Sequence, residues 1–568
     1  MNRKKLPAYF TVFIIILILL IVIVTKIIDI EEPDDSDKEV QYYNSYIKNC
    51  KDNIIKVYID NEEKEFQITA VQDDITGQLA DITVKNGYVT KLLLKQNTVH
   101  GKVLSVGEGY VSIEGYGKLE TTDNFKVYKS YSGLEEVTGN KILVGYDVTN
   151  FYIENDKICG AIVYKNIDAD IIRVLLNTTG YASIYHEKLV LNADCDYIIT
   201  YGNKTDTIKA GKKTKITSKS KYFKTGDIKI ECLDDTKGIL ITSIERGYGN
   251  PTYEGAIYVS NTDDGLLVIN ELELERYLYY VVPSEMPSSY GVDALEVQAI
   301  CARTYAYRQI LNNAYGMYGA HVDDSVTFQV YNNSQTSDNA ITAVNNTYGK
   351  IISQEDEPIE AFFFSTSCGS TTDADIWGGS GREYIKGRMV TEEDSEVDLT
   401  DNKVFDEFIK SEYESYDSEF PYYRWNVTFS NNELESIANN VSGKEIGTVK
   451  SISINSRGTG GIIKSITIKG KKDSVIIEGE LNIRKALNVT GKKITLNDGT
   501  ENTSFTILPS AYFTVATKDN NFNIIGGGYG HGVGMSQNAV KAMIEAGMTV
   551  EEIICFFYNN VEVQAIYS

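Results

Sequence analysis

Residues Ala8–Thr25 form an uncharged apolar run preceded by Arg3, Lys4 and Lys5. A stretch of that length suits a helix that crosses a membrane rather than one buried in a protein core. A cleaved secretory leader would carry a shorter apolar stretch and a small-residue cleavage site. Here Lys26-Ile27-Ile28-Asp29-Ile30 follows instead, so a retained anchor over residues 1–30 is expected. Basic residues before the span and acids after it (Glu31, Glu32, Asp34, Asp35) place the N-terminus in the cytoplasm and the rest outside the cell membrane.

A chain of 568 residues is too long for a single core, and about three folded units are expected. Residues 31–52 read as a short acidic stalk. From 53 to 168 short alternating runs, such as Ile54–Ile59 and Gly109–Ile113, are broken by Gly, Asn and Asp. That pattern predicts a β-rich unit with no cluster of catalytic residue types. Residues 169–568 begin with a nearly continuous apolar strand from Asp170 to Leu176. A helix is predicted over roughly 292–313, where Leu295, Ala299, Ala302, Ala306 and Ile310 recur at helical spacing. A later helix starts near Ser536 and stops at Gly547. Thr549 and Glu552 have the spacing of a capping box for a last helix. Strands with a few interspersed helices predict an α+β fold. Trp377 and Trp425 read as aromatic anchors.

The net charge of −24 excludes nucleic acid as a partner, because phosphates are repelled. It also opposes docking on anionic lipid. It permits a neutral or amine-bearing polymer, although solubility alone accounts for it equally well. The seven cysteines are scattered without a CxxC pair, and there are four histidines. Neither a structural zinc site nor a disulfide framework is expected, and no cofactor is implied.

Two segments carry chemistry. Glu285 lies between Pro283 and Pro287 among Val281, Val282 and Met286. Apolar surroundings raise a carboxyl pKa, as a general acid near neutral pH requires. The competing reading is a surface glutamate that caps the following helix. Residues 526–534 contain six glycines around His531. So little side-chain bulk would let a polymer lie against the backbone, with the imidazole free to reach it. The hydroxyl-rich Ser365-Thr366-Ser367-Cys368-Gly369 follows an apolar strand and could contact a ligand. A Cys368–His531 nucleophile pair is a further alternative. Arg303, on a face of small residues, needs an acid partner or a substrate oxygen.

At these residues the chain resembles the stage II sporulation protein D/amidase enhancer LytB (SpoIID/LytB) family. The matching elements, in order from about 170, are Asn270-Glu271-Leu272, Val282-Pro283-Ser284-Glu285-Met286-Pro287, Ala302-Arg303-Thr304-Tyr305-Ala306, Gln329-Val330-Tyr331, Ser365-Thr366-Ser367 before Trp377-Gly378-Gly379, and Gly530-His531-Gly532-Val533-Gly534-Met535-Ser536-Gln537. The resemblance implies an extracytoplasmic lytic transglycosylase acting on peptidoglycan glycan strands, with a role in sporulation or other wall remodelling. It also admits a non-catalytic enhancer that binds glycan beside a partner amidase. It implies Glu285 as the catalytic acid and Arg303, Tyr305, Gln329, Ser365, Ser367, His531 and Gln537 as substrate-binding residues. Glu296 stands where the family often has lysine, and the segment from His321 to Phe328 lacks the cysteines with which some members bind metal.

Overall fold

The computed structural model describes residues 38–69, 74–333, 336–392 and 397–567. The expected anchor lies outside them, and among the described residues no helix is long and apolar enough to cross a membrane. The chain is a mixed α+β protein.

The first strand, β1 (Val40–Lys51), joins four others up to Leu94 in a small closed barrel. Two-residue turns link the strands. Asp52-Asn53 and Asp60-Asn61 both adopt left-handed backbone, which Asn and Asp tolerate and which matches the twist of a hairpin. Most of the stretch expected to be a stalk is therefore a barrel strand. Its Ile47 packs with Ile55, Val57 and Ile82 in a separate core, a burial that acidic flanking composition does not reveal.

A second sheet covers residues 98–163. Its inward residues Val103, Ile113, Val127 and Phe151 pack in one continuous core with Ile172, Val174, Tyr277 and Ile300. The boundary expected at 168 thus divides the chain but not its packing.

A seven-stranded sheet supports the site. In it β2 (Ile171–Leu175) lies between β3 (Gly265–Glu273) and the short β4 (Val322–Asp323). From the end of β3 the chain turns directly into α1 (Leu274–Glu285), and after one loop into α2 (Val292–Asn312). The small residues of α2 let it pack closely: Ala299, Ala302 and Ala306 are fully buried.

The next strand, β5 (Phe363–Phe364), pairs in parallel with β6 (Met535–Ser536), although the two lie far apart in sequence. Between them residues 425–524 build their own core from Val427, Leu434, Ile466, Ile483 and Ile524. That unit includes α3 (Glu480–Ala486). The chain then returns through the glycine-rich turn into α4 (Gln537–Glu545). The capping box of Thr549 and Glu552 forms and opens the last helix, Val550–Phe557. The 425–524 unit was not expected as a separate core, because its strands are short and its apolar residues interleave with polar ones.

Candidate active site

Glu285 is the last residue of α1. Helix extension stops there because Pro287 disfavours helical backbone at Met286, which is extended (φ −131°). The side chain is partly exposed. Its Oε1 accepts the Val330 amide hydrogen at 2.7 Å. Burial pushes the carboxyl up to about 7, against the weaker opposing pull of that one hydrogen bond. The capping alternative fails, since α2 has Gly291 at its N-cap with no side-chain cap bond.

A cleft of about 200 Å³ opens near this acid, whose carboxylate lies behind the lining and is tied to it through Val330, the neighbour of Gln329. The cleft is lined by Tyr305, Phe328, Gln329, Phe362, Trp377 and His531, among others. His531 stacks obliquely on Phe364 (5.6 Å) and Trp377 (5.0 Å). Its Nδ1 accepts the Val533 amide at 3.1 Å. Burial, then the nearby Arg484 charge, lowers its pKa to about 4. The imidazole is therefore neutral at pH 7 and serves as a wall and hydrogen-bonding group.

Glu285, Tyr305, Gln329 and His531 are thus brought to one place, but four of the other expected contacts are not. Arg303 is fully buried. Its Nε and Nη2 bind the two Glu275 oxygens at 2.7 and 2.6 Å, and Nη1 donates to the Lys350 carbonyl at 3.0 Å. It staples α2 to α1 and has no donor to offer a substrate. Gln537 is buried, and its Nε2 donates to the Glu285 backbone carbonyl at 3.1 Å and to Gln298 Oε1 at 3.2 Å. It holds the end of α1 in place and has no amide hydrogen directed into the cleft. Ser367 is buried and donates to Asp417 Oδ2 at 2.5 Å. Ser365 is partly exposed, with its hydroxyl 3.1 Å from Thr366 Oγ1 and its carbonyl accepting the Asn538 amide; it does not line the cleft. The Gln329 side chain is occupied too: Tyr277 donates to its Oε1 (3.3 Å), and its Nε2 donates to the Ala302 carbonyl (3.2 Å). Glu296 sits outside the cleft, accepting from Asn346 at 2.7 Å.

The glycine-rich turn is not an open bed. A Cβ at Gly532 would meet the Tyr512 hydroxyl at 2.1 Å, and one at Gly534 would meet the Phe362 carbonyl at 2.1 Å. The glycines allow the turn to pack against its own protein and so deliver His531 to the cleft. Cys368 is fully buried beside Phe405, Phe408 and Tyr512. Its thiol lies 3.5 Å from Ser370 Oγ, and burial raises its pKa. It is an apolar packing residue away from His531, not a nucleophile. His321 is also structural: Nδ1 accepts the Arg173 amide at 3.1 Å and Nε2 pairs with the Val144 carbonyl at 2.8 Å.

Asp417 escaped the sequence reading, and Trp377 was read only as an aromatic anchor and part of a family motif. Asp417 is fully buried between Ser367 and Ser536, and burial raises it to about 7. Nothing in Tyr416-Asp417-Ser418 signals this. Trp377 projects at the cleft with 41% of its surface exposed, whereas Trp425 is 2% exposed. The Gly-Gly that follows Trp377 was the available hint.

A sequence model described as Stage II sporulation protein matches residues 262–353, and one for a domain of unknown function (DUF8618) matches 371–534. The stage II sporulation protein D of Bacillus amyloliquefaciens is 30% identical over 345 residues, covering 58% of this chain and 82% of that protein. The chain belongs to the SpoIID family. The stage II sporulation protein D of Bacillus subtilis (strain 168) is 28% identical over 311 residues, covering 52% of this chain and 75% of the relative. Another member, from the same organism and named amidase enhancer, is 28% identical over 286 residues, covering 49% of this chain and 39% of its own length. Glu285, Arg303 and Tyr305 fall in the segment matched by the SpoIID model, while Trp377, Asp417 and His531 fall in the segment of unknown function.

Proposed function

We propose that this SpoIID-family protein is a lytic transglycosylase. It would be held at the outer face of the cell membrane by residues 1–30 and would cut peptidoglycan glycan strands during wall remodelling in sporulation. The observation that carries this reading is Glu285, a carboxyl raised to about 7 near a sugar-sized cleft. Hydrolases of glycosidic bonds ordinarily use two carboxylates. Here one can serve twice. Glu285 first protonates the oxygen between N-acetylmuramate and N-acetylglucosamine. The resulting carboxylate then takes the proton from the muramate C6 hydroxyl, whose oxygen closes a 1,6-anhydro ring on C1. The proton balance closes without water. A pKa near the working pH suits both directions of transfer.

The test is mass spectrometry of soluble products from sacculi stripped of stem peptides. Wild type is expected to release anhydro-muramyl products. Glu285→Gln should release them about 10²–10⁴-fold more slowly. Unchanged release by that variant would refute the reading. The relative named amidase enhancer favours a second reading, in which the cleft holds glycan and a partner amidase cuts. Sacculus binding with no product release from wild type, together with faster cleavage by an added wall amidase, would support it.

A further inference from the structure

Trp377 is an exposed ring held still. The Phe362 ring meets it edge-on at 5.1 Å and 78°, and the His531 ring at 5.0 Å and 64°. Near it lies the Glu480 carboxylate of α3, which is buried and paired with Arg484 at 3.4 Å. Two ring contacts therefore hold an indole that lines the cleft with 41% of its surface still exposed. Packing does not call for this arrangement: Trp425, the other tryptophan, is buried with its N–H on the Gly528 carbonyl at 3.0 Å. An immobilised aromatic face loses little entropy when a ligand settles on it. Its electron-rich surface attracts the weakly positive C–H face of a pyranose.

We propose that Trp377 is a saccharide-stacking platform that binds one N-acetylhexosamine unit of the glycan, and that Phe362 and His531 hold it in place. This rests on the glycan reading above and gives a task to the segment of unknown function. That segment supplies Trp377 and His531 to the cleft lining. The chemistry selects the ligand class. The cleft is the size of one hexosamine ring.

The chain has two tryptophans, so intrinsic fluorescence reports on the site directly. The full chain in detergent micelles is titrated with the N-acetylglucosamine tetramer, followed by emission and by calorimetry. In wild type and in Trp425→Phe, emission should shift and quench on binding. Trp377→Ala should lose that response and bind about ten-fold more weakly, the size of one aromatic contact. Trp377→Phe should recover part of the affinity. The proposal is overturned if Trp377→Ala binds with unchanged affinity, or if the tetramer binds wild type without altering emission. Should wild type still release anhydro products while binding ignores Trp377, the platform fails and the transglycosylase stands. Absence of both binding and release removes both.

Discussion

At the scale of single residues, the chemistry depends on how burial treats each acid. Glu285 is desolvated and its carboxylate keeps only one hydrogen bond, so burial wins, its pKa rises to about 7 and the proton remains transferable. Because only the protonated form can start cleavage, kcat/KM should fall as pH rises through about 7, and a flat profile from pH 5 to 9 would contradict the acid role. The same shift affects stability. The folded state holds this proton more tightly than the unfolded chain, so the contribution is full in acid and is lost as pH rises through the folded value. Glu285→Gln should therefore gain on wild type between pH 5 and 8, by roughly 1–3 kcal/mol in chemical denaturation. Arg303 and Glu275 show the opposite use of charge. Glu275→Gln removes one partner of a buried bidentate pair and should cost about 3–5 kcal/mol, measured in urea. If Arg303 instead bound substrate, that variant would fold normally and lose only affinity. The sequence exposed Glu285 through its two prolines, and it exposed the need of Arg303 for a partner. It could not choose between Glu275 and a sugar oxygen, because that choice belongs to a neighbour from another helix.

At the scale of elements, α2, α4 and the last helix were legible from apolar spacing and caps, and each formed within a few residues of its expected bounds, whereas α1, which carries Glu285 at its end, was not expected. The glycine-rich turn was legible as special but not for its true reason. Its residues cross the strand after β5, with Tyr529 and Thr366 exchanging two backbone hydrogen bonds at 2.8 and 3.1 Å. Gly534 has φ +79°, and the site of its missing Cβ lies 2.1 Å from the Phe362 carbonyl. Gly534→Ala would combine a left-handed backbone with a clash that cannot relax cheaply. It should cost about 2–4 kcal/mol and weaken the cleft, read as a lowered unfolding temperature together with loss of tetramer binding. An alanine variant as stable as wild type would show that the turn is slack. Asp417 was invisible at this scale: its two serine partners come from the β5–β6 region, and no local pattern announces a buried acid.

At the scale of the whole molecule, stability units and sequence segments do not coincide. The barrel from β1 to Leu94 has its own core, whereas the 98–163 sheet shares its core with the layer that carries the candidate site. A chain beginning at residue 96 should therefore remain soluble and unfold cooperatively. One beginning at 169 should aggregate, because Ile172 and Val174 lose Val103, Val127 and Phe151 as neighbours. Cooperative unfolding of the shorter chain would overturn this view of the core. What the amino-acid order determined alone was local: the apolar N-terminal run, the β-rich first part, three helices, and an acid framed by prolines. Those features follow from chain stiffness, periodicity and side-chain polarity, which neighbours in sequence supply. The tertiary structure alone decided which polar groups face the cleft and which are used up in holding it, since Arg303, Ser367 and Gln537 look as suited to a ligand as Tyr305 and His531 until their partners arrive from distant parts of the chain.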